Sequence, residues 1–166
     1  MRSRLSWLGD HGWVRGRGCE WRRRPVVEAA AGNGGSGQGI MTLLLDRRGG
    51  DTPITKGVVE AAAGNRESGQ GIMTLLLDRR GADVPITEGV VKAAVRDWES
   101  GKEIMTLLFD RRGGDVPITE GVVKAAARDW ESGKEIITLL LDQRGGNVPI
   151  TEGVVRLLLT LSYLLV

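Results

Sequence analysis

The chain has 166 residues, 41% apolar but only 4% aromatic, so any core must be filled by Val, Leu, Ile and Ala. Its formal charge of +2 conceals an asymmetry: residues 1–24 hold seven Arg against Asp10 and Glu20, a net of +5, and the remainder is 16 basic against 19 acidic, a net of −3. A single cysteine, Cys19, rules out an internal disulfide, and a single histidine, His11, leaves neither with metal-ligand spacing.

Taken in chain order, residues 1–24 read as an irregular basic leader, expected to be disordered. Gly9 and Asp10 break the opening before an apolar stretch of secretory length develops, and the glycines at 9, 12, 16 and 18 oppose an amphipathic presequence helix. Neither secretion nor organelle targeting is therefore expected. An intracellular setting, cytoplasmic or nuclear, fits a chain that needs no oxidised cysteine.

From residue 25 to 156 the sequence repeats itself. Ile54, Ile86, Ile118 and Ile150 each open an Ile-Thr pair, 32 positions apart, and the same step carries Val26 to Val58, Val90, Val122 and Val154. Residues 86–117 and 118–149 differ at only five positions: 95, 105, 109, 111 and 115 against their counterparts. Length here counts units rather than domains. The units lie near 26–53, 54–85, 86–117 and 118–149, with a partial unit at 150–156.

Within the unit 86–117, local signals predict two helices. Thr87 is a good N-cap after Pro85, and Ile86 is placed to staple onto Val91. Helix A is expected from about Glu88 to Arg96, burying Val90, Val91, Ala94 and Val95. Helix B follows Ser100-Gly-Lys-Glu103, a capping-box pattern, and runs to about Arg112. Its Ile104, Met105, Leu107, Leu108 and Phe109 cover more than one stripe, which predicts burial on several sides. Arg111 and Arg112 suit the negative end of the helix dipole, and Gly113 is expected to close the helix in the left-handed conformation. Strand is the competing reading of the apolar run, but its two well-marked ends favour helix. The expected fold is all-α: an α-solenoid of helix-turn-helix repeats that keeps the period of the Ile-Thr pairs, because one hairpin cannot bury both of its apolar faces.

Residues 157–166, Leu-Leu-Leu-Thr-Leu-Ser-Tyr-Leu-Leu-Val, form an apolar end to the last helix. The stretch from Val154 to Val166 is too short to span a bilayer unaided, so no transmembrane span is expected. Such a surface is expected to bury itself against a partner, another copy of the chain or further chain, with self-association through 157–166 as one outcome.

Several motifs invite a chemical reading. Gly32-Asn-Gly34-Gly-Ser-Gly37 has the Gly-x-Gly-x-x-Gly spacing of dinucleotide sites, but no strand is predicted before it, and the next unit reads Gly64-Asn-Arg-Glu-Ser-Gly69 in the same place. No nucleophile with a base and no carboxylate pair in a closed cleft is evident. Asp110 with Glu103 is the nearest approach, and both are expected to face water or arginine. No catalytic, cofactor-binding or metal residue is assigned, and the chain is not expected to be an enzyme. The pairs Arg47/Arg48, Arg79/Arg80 and Arg111/Arg112, continued by Gln143/Arg144, could line one edge and follow phosphates. Each pair adjoins an aspartate (46, 78, 110, 142), so helix capping and ion pairing is the favoured reading, with nucleic-acid binding by this ladder and the basic leader as the alternative.

The variable positions cluster where helix A meets the loop: Asn33-Gly34-Gly35, Asn65-Arg66-Glu67, Asp97-Trp98-Glu99 and Asp129-Trp130-Glu131. Arg66, Glu67, Trp98, Glu99, Trp130 and Glu131 are thus the candidate partner-binding residues, with Trp98 and Trp130 expected one above the other. The competing reading is that the tryptophans cover the ends of the alanine-rich helices.

Two resemblances follow from these motifs. Ile72-Met-Thr-Leu-Leu-Leu-Asp-Arg-Arg-Gly-Ala-Asp-Val84 resembles the second helix and turn of an ankyrin repeat, but Thr87-Glu-Gly-Val stands where ankyrin has Thr-Pro-Leu-His. The Ile-Thr-Glu-x-Val-Val units, over about residues 26–155, are similar to repeats found beside ankyrin repeats in large fungal proteins, including NACHT-type NTPases. That resemblance names no activity. It implies a scaffold or recognition arm of a larger intracellular protein, taking an unidentified protein partner.

Overall fold

The computed structural model describes residues 20–129, 132–144 and 148–156. Four hairpins follow one another: α1 (Glu20–Ala31) with α2 (Gly37–Arg48), α3 (Lys56–Ala63) with α4 (Gly69–Arg80), α5 (Glu88–Val95) with α6 (Gly101–Arg112), and α7 (Glu120–Arg128) with α8 (Gly133–Arg144). Residues 152–156 begin a fifth first helix, and no strand occurs among the described residues. The first helices of the hairpins pack in one layer, α1 on α3 on α5 on α7, and the second helices in another, α2 on α4 on α6 on α8. The fold is a helical-repeat solenoid, as the period requires. α1 reaches back to Glu20, into the stretch expected to be irregular.

The core forms because each layer offers the next the same positions. Val90, Val91, Ala94 and Val95 of α5 are buried, as helical periodicity dictates, and Ile104, Met105, Leu108 and Phe109 of α6 bury two sides of their helix. Met41, Met73 and Met105 recur fully buried at one position. Unbranched, polarizable methionine suits such a fully buried position in the core.

The helices close differently from the sequence reading in two respects. Gly113 has φ +42° and ψ −109°, a region open to glycine but distinct from the left-handed helical one, and the chain continues into a 3-10 turn at Gly113–Asp115. Gly49 and Gly81 repeat this, followed by turns at Gly49–Asp51 and Gly81–Asp83. At the other end, Ser100 makes no side-chain cap to α6. Its hydroxyl donates instead to Asp97 Oδ2 at 2.9 Å, while Asp97 Oδ1 accepts from the amides of Glu99 and Ser100. The capping box is therefore not formed. A buried carboxylate, three positions earlier, takes both the hydroxyl and the amides.

Gly101 is required there by close approach. A Cβ on Gly101 would collide with the carbonyl oxygen of Ala94, and the equivalent atom on Gly69 would lie 2.8 Å from that of Ala62. The loop can turn back so tightly only because the first residue of each second helix has no side chain.

Candidate protein-binding edge

The loop between the two helices of a hairpin is built on one residue. Asn33, Asn65, Asp97 and Asp129 each accept, through Oδ1, a hydrogen bond from the amide of the serine three positions on, at 3.1–3.4 Å. In the second and third hairpins the following two residues face outward: Arg66 and Glu67, and Trp98 and Glu99, are all exposed.

The structure brings Arg66 and Trp98 together across adjacent units. The Arg66 guanidinium carbon lies 5.8 Å from the centroid of the Trp98 ring, and the tryptophan remains 44% exposed. One ring face is thus used within the array and much of the rest is open to solvent. Glu67 reaches back over the preceding loop, where a side chain on Gly34 would meet its Oε2 at 2.9 Å. Trp130 and Glu131 lie outside the described residues.

The sequence reading missed the buried residue beneath this edge. Asn65 donates its side-chain amide to the carbonyls of Ala31 and Asn33, at 2.8 and 2.9 Å, joining the second hairpin to the first. The Ser68 hydroxyl also donates to Gly34 O. Asp97, equally buried, has no such donor, and Ser100 folds back onto it. Only the change from amide to carboxylate signals this in sequence, and its meaning depends on carbonyls of the preceding unit.

On the opposite edge the arginines are engaged within the array. Arg79 pairs with Asp46 at 3.0 Å and Arg111 with Asp78 at 2.6 Å, each reaching back one unit. The next arginines, Arg80 and Arg112, donate to the turn carbonyls of the preceding unit, Arg80 to Gly49 and Thr52 and Arg112 to Gly81. Dipole, ion pair and turn closure are thus served by the same residues.

A third ladder runs along the starts of the first helices. Thr151 Oγ1 donates to Glu120 at 2.8 Å, and the Glu120 carboxyl is held below its ordinary pKa by Lys124 first and Thr151 second. Glu88 is lowered likewise by Lys92, then Thr119. Thr87 would need an acceptor at position 56, where Lys56 stands, and its buried hydroxyl has no partner. Between α6 and α8, Lys102 binds Glu135 at 2.7 Å, which raises the lysine pKa and lowers that of the carboxyl.

Gly32-Asn-Gly34-Gly-Ser-Gly37 joins α1 to α2 and follows a helix, not a strand. Among the described residues no group of three His, Cys, Asp or Glu is placed to hold a metal ion. His11, Cys19 and the apolar stretch 157–166 lie outside those residues. No helix among them is long and apolar enough to cross a membrane.

No curated protein and no solved structure matches the chain. A family model does match, five times in succession, at residues 25–41, 43–73, 75–105, 107–136 and 139–156, and its three inner copies each span close to one structural period. The chain belongs to the family described as Domain of unknown function (DUF7104), present here as a tandem helical repeat.

Proposed function

We propose that this array is a protein-binding scaffold, the recognition arm of a larger intracellular protein, and that it engages its partner through the loop edge carrying Arg66, Glu67, Trp98 and Glu99, together with Trp130 and Glu131, the residues at the equivalent positions of the next unit in sequence. The observation that carries this reading is the exposed Trp98 ring. It sits stacked on Arg66, at a position occupied by Gly34 in the first unit, on a frame that otherwise repeats. Rigid aromatic surface backed by a cation is the kind of group that dominates binding energy when a partner covers it. We read the chain as binding rather than catalytic, ankyrin-like in its layout and suited to the cytoplasm or nucleus.

The alternative, a nucleic-acid binder working through the arginine ladder, is disfavoured by the same geometry. Arg79, Arg80, Arg111 and Arg112 are committed to aspartates and turn carbonyls of the preceding units, so phosphate binding would have to displace those bonds.

Affinity capture from cell extract with the wild type and with Trp98→Ala/Trp130→Ala tests the proposal. The double variant should keep its far-UV circular dichroism and lose the captured protein. Undiminished capture would remove the edge from consideration, and loss of helicity would make the tryptophans structural covers.

A further inference from the structure

The loops of the first three hairpins each leave one backbone amide unused. Asn33, Asn65 and Asp97 accept, through Oδ1, from the amide three positions on. The amide immediately after them, of Gly34, Arg66 or Trp98, donates to no acceptor among the described residues. Water reaches this edge in the inner units too, where Arg66, Glu67, Trp98 and Glu99 are exposed. Only in the first unit is the residue that holds the loop an asparagine followed by glycine.

We propose that the Asn33–Gly34 bond is a site of spontaneous covalent modification, at which the folded array deamidates. The Gly34 nitrogen gives its proton to solvent and attacks Cγ of Asn33. A new N–Cγ bond forms and the side-chain nitrogen leaves as ammonia, closing a succinimide ring. Water then opens the ring, at Cγ to give aspartate or at the main-chain carbonyl to give isoaspartate. A water is consumed and an ammonia released, with no change of oxidation state. The Ser36 amide, 3.1 Å from Asn33 Oδ1, is aimed at the oxygen on which negative charge develops during the attack. Gly34 has no Cβ to obstruct the approach of its nitrogen. Asn65 is followed by Arg66 instead, and its Nδ2 is bound to the carbonyls of Ala31 and Asn33.

The two products act differently on the array. An aspartate is already accepted at this place, because Asp97 and Asp129 hold the equivalent serine amide as Asn33 does. At position 33 it adds a negative charge to the edge, close to the Glu67 carboxylate that lies over Gly34. Isoaspartate carries the chain through Cβ and Cγ. The Asn33 carbonyl that Asn65 binds at 2.9 Å then leaves the backbone, and Gly34 O is displaced from the Ser68 hydroxyl. The isoaspartyl product therefore disrupts the side-chain bonds that join the second hairpin to the first.

The test incubates the full chain in mildly alkaline buffer, folded and, in parallel, unfolded in urea. Proteolytic fragments are followed by mass spectrometry, and labelling with an isoaspartate methyltransferase marks the isoaspartyl product. In the folded chain Asn33 should convert first, to both products, while Asn65 and Asn147 stay intact. Gly34→Ala should slow the conversion about tenfold or more, because a Cβ obstructs ring closure. The atoms nearest the added methyl all belong to the movable Glu67 carboxylate, so circular dichroism should be unchanged. Conversion in urea with none in the folded chain over the same time would show that the fold shields the bond and would overturn the proposal. Equal rates at Asn33 and Asn65 overturn it too, as does an undiminished rate in Gly34→Ala.

Discussion

Asn65 and Asp97 occupy equivalent buried sites and differ in one atom, yet that atom decides whether neighbouring loops are bonded. An amide at 97 would reach the carbonyls of Ala63 and Asn65 as Asn65 reaches those of Ala31 and Asn33. Asp97→Asn should therefore stabilise the protein by about 1 kcal/mol, the net worth of an added buried hydrogen bond. Asn65→Asp should cost about 2 kcal/mol, because it strips a donor from buried carbonyls and sets a carboxylate against them. Urea midpoints of the two variants decide this, and shifts in the same direction would contradict it. Glycines give a second comparison at this scale. Gly101→Ala forces Cβ against Ala94 O and should cost about 1–3 kcal/mol. Gly114→Ala meets nothing within 4 Å, and the chain already has Ala82 at the equivalent place, so its thermal midpoint should hold or rise slightly.

Among the elements, α3 runs against the pattern of its neighbours. Its pair is Lys56–Glu60, at 3.5 Å, whereas α5 and α7 place the acid first, Glu88–Lys92 and Glu120–Lys124. Acid before base suits the helix dipole. The reversed order also leaves Thr87 with a lysine where Thr119 and Thr151 find carboxylates. Lys56→Glu with Glu60→Lys should correct both and add about 1 kcal/mol, read as a higher denaturant midpoint, chiefly by giving a buried hydroxyl its acceptor. The same pairs set a pH dependence. Glu88, Glu120 and Glu135 have folded pKa values below the ordinary 4.5, so they favour the folded state fully above that pH. Their contribution is lost as the pH falls from 4.5 through the lowered values. Acid unfolding should accordingly start earlier, on descending pH, in Lys102→Ala and Lys124→Ala than in the wild type; coincident acid transitions would refute the link. Lys102, raised above 10.5, contributes up to that pH and loses its effect as the pH climbs through its folded value.

At the scale of the whole molecule, the main contacts of each described hairpin are with its neighbours, so stability should be close to a sum of unit and interface contributions. Deleting residues 86–117 joins two equivalent points in the frame, because Ile118 then follows Pro85 as Ile86 did. The shortened array should fold, with a urea slope reduced in proportion to the lost surface and a modestly lower midpoint. A chain that failed to fold would show that stability is not distributed in this way. Gln143 stands where an arginine would meet Asp110, so α8 gives up an ion pair of the kind that Asp46–Arg79 and Asp78–Arg111 form.

The period, the helix pairs and their buried stripes could be read from the sequence alone, because caps and helical spacing act over a few neighbouring residues. Val90, Ala94, Ile104 and Leu108 needed no knowledge of what lies beside them to be placed inside. The candidate edge was legible as variation on a constant frame, but not as a stack of Arg66 on Trp98. Ser100 escapes a sequence reading for a related reason: its capping pattern is local, and the buried Asp97 that claims its hydroxyl acquires that role only when the next unit covers it. Whether Arg79 meets an aspartate and whether Thr87 has an acceptor depend on groups a whole unit away along the chain. The sequence by itself determined the repeat and its helices; the stacking of units decided which polar groups are paired and which side chains of each unit the next one covers.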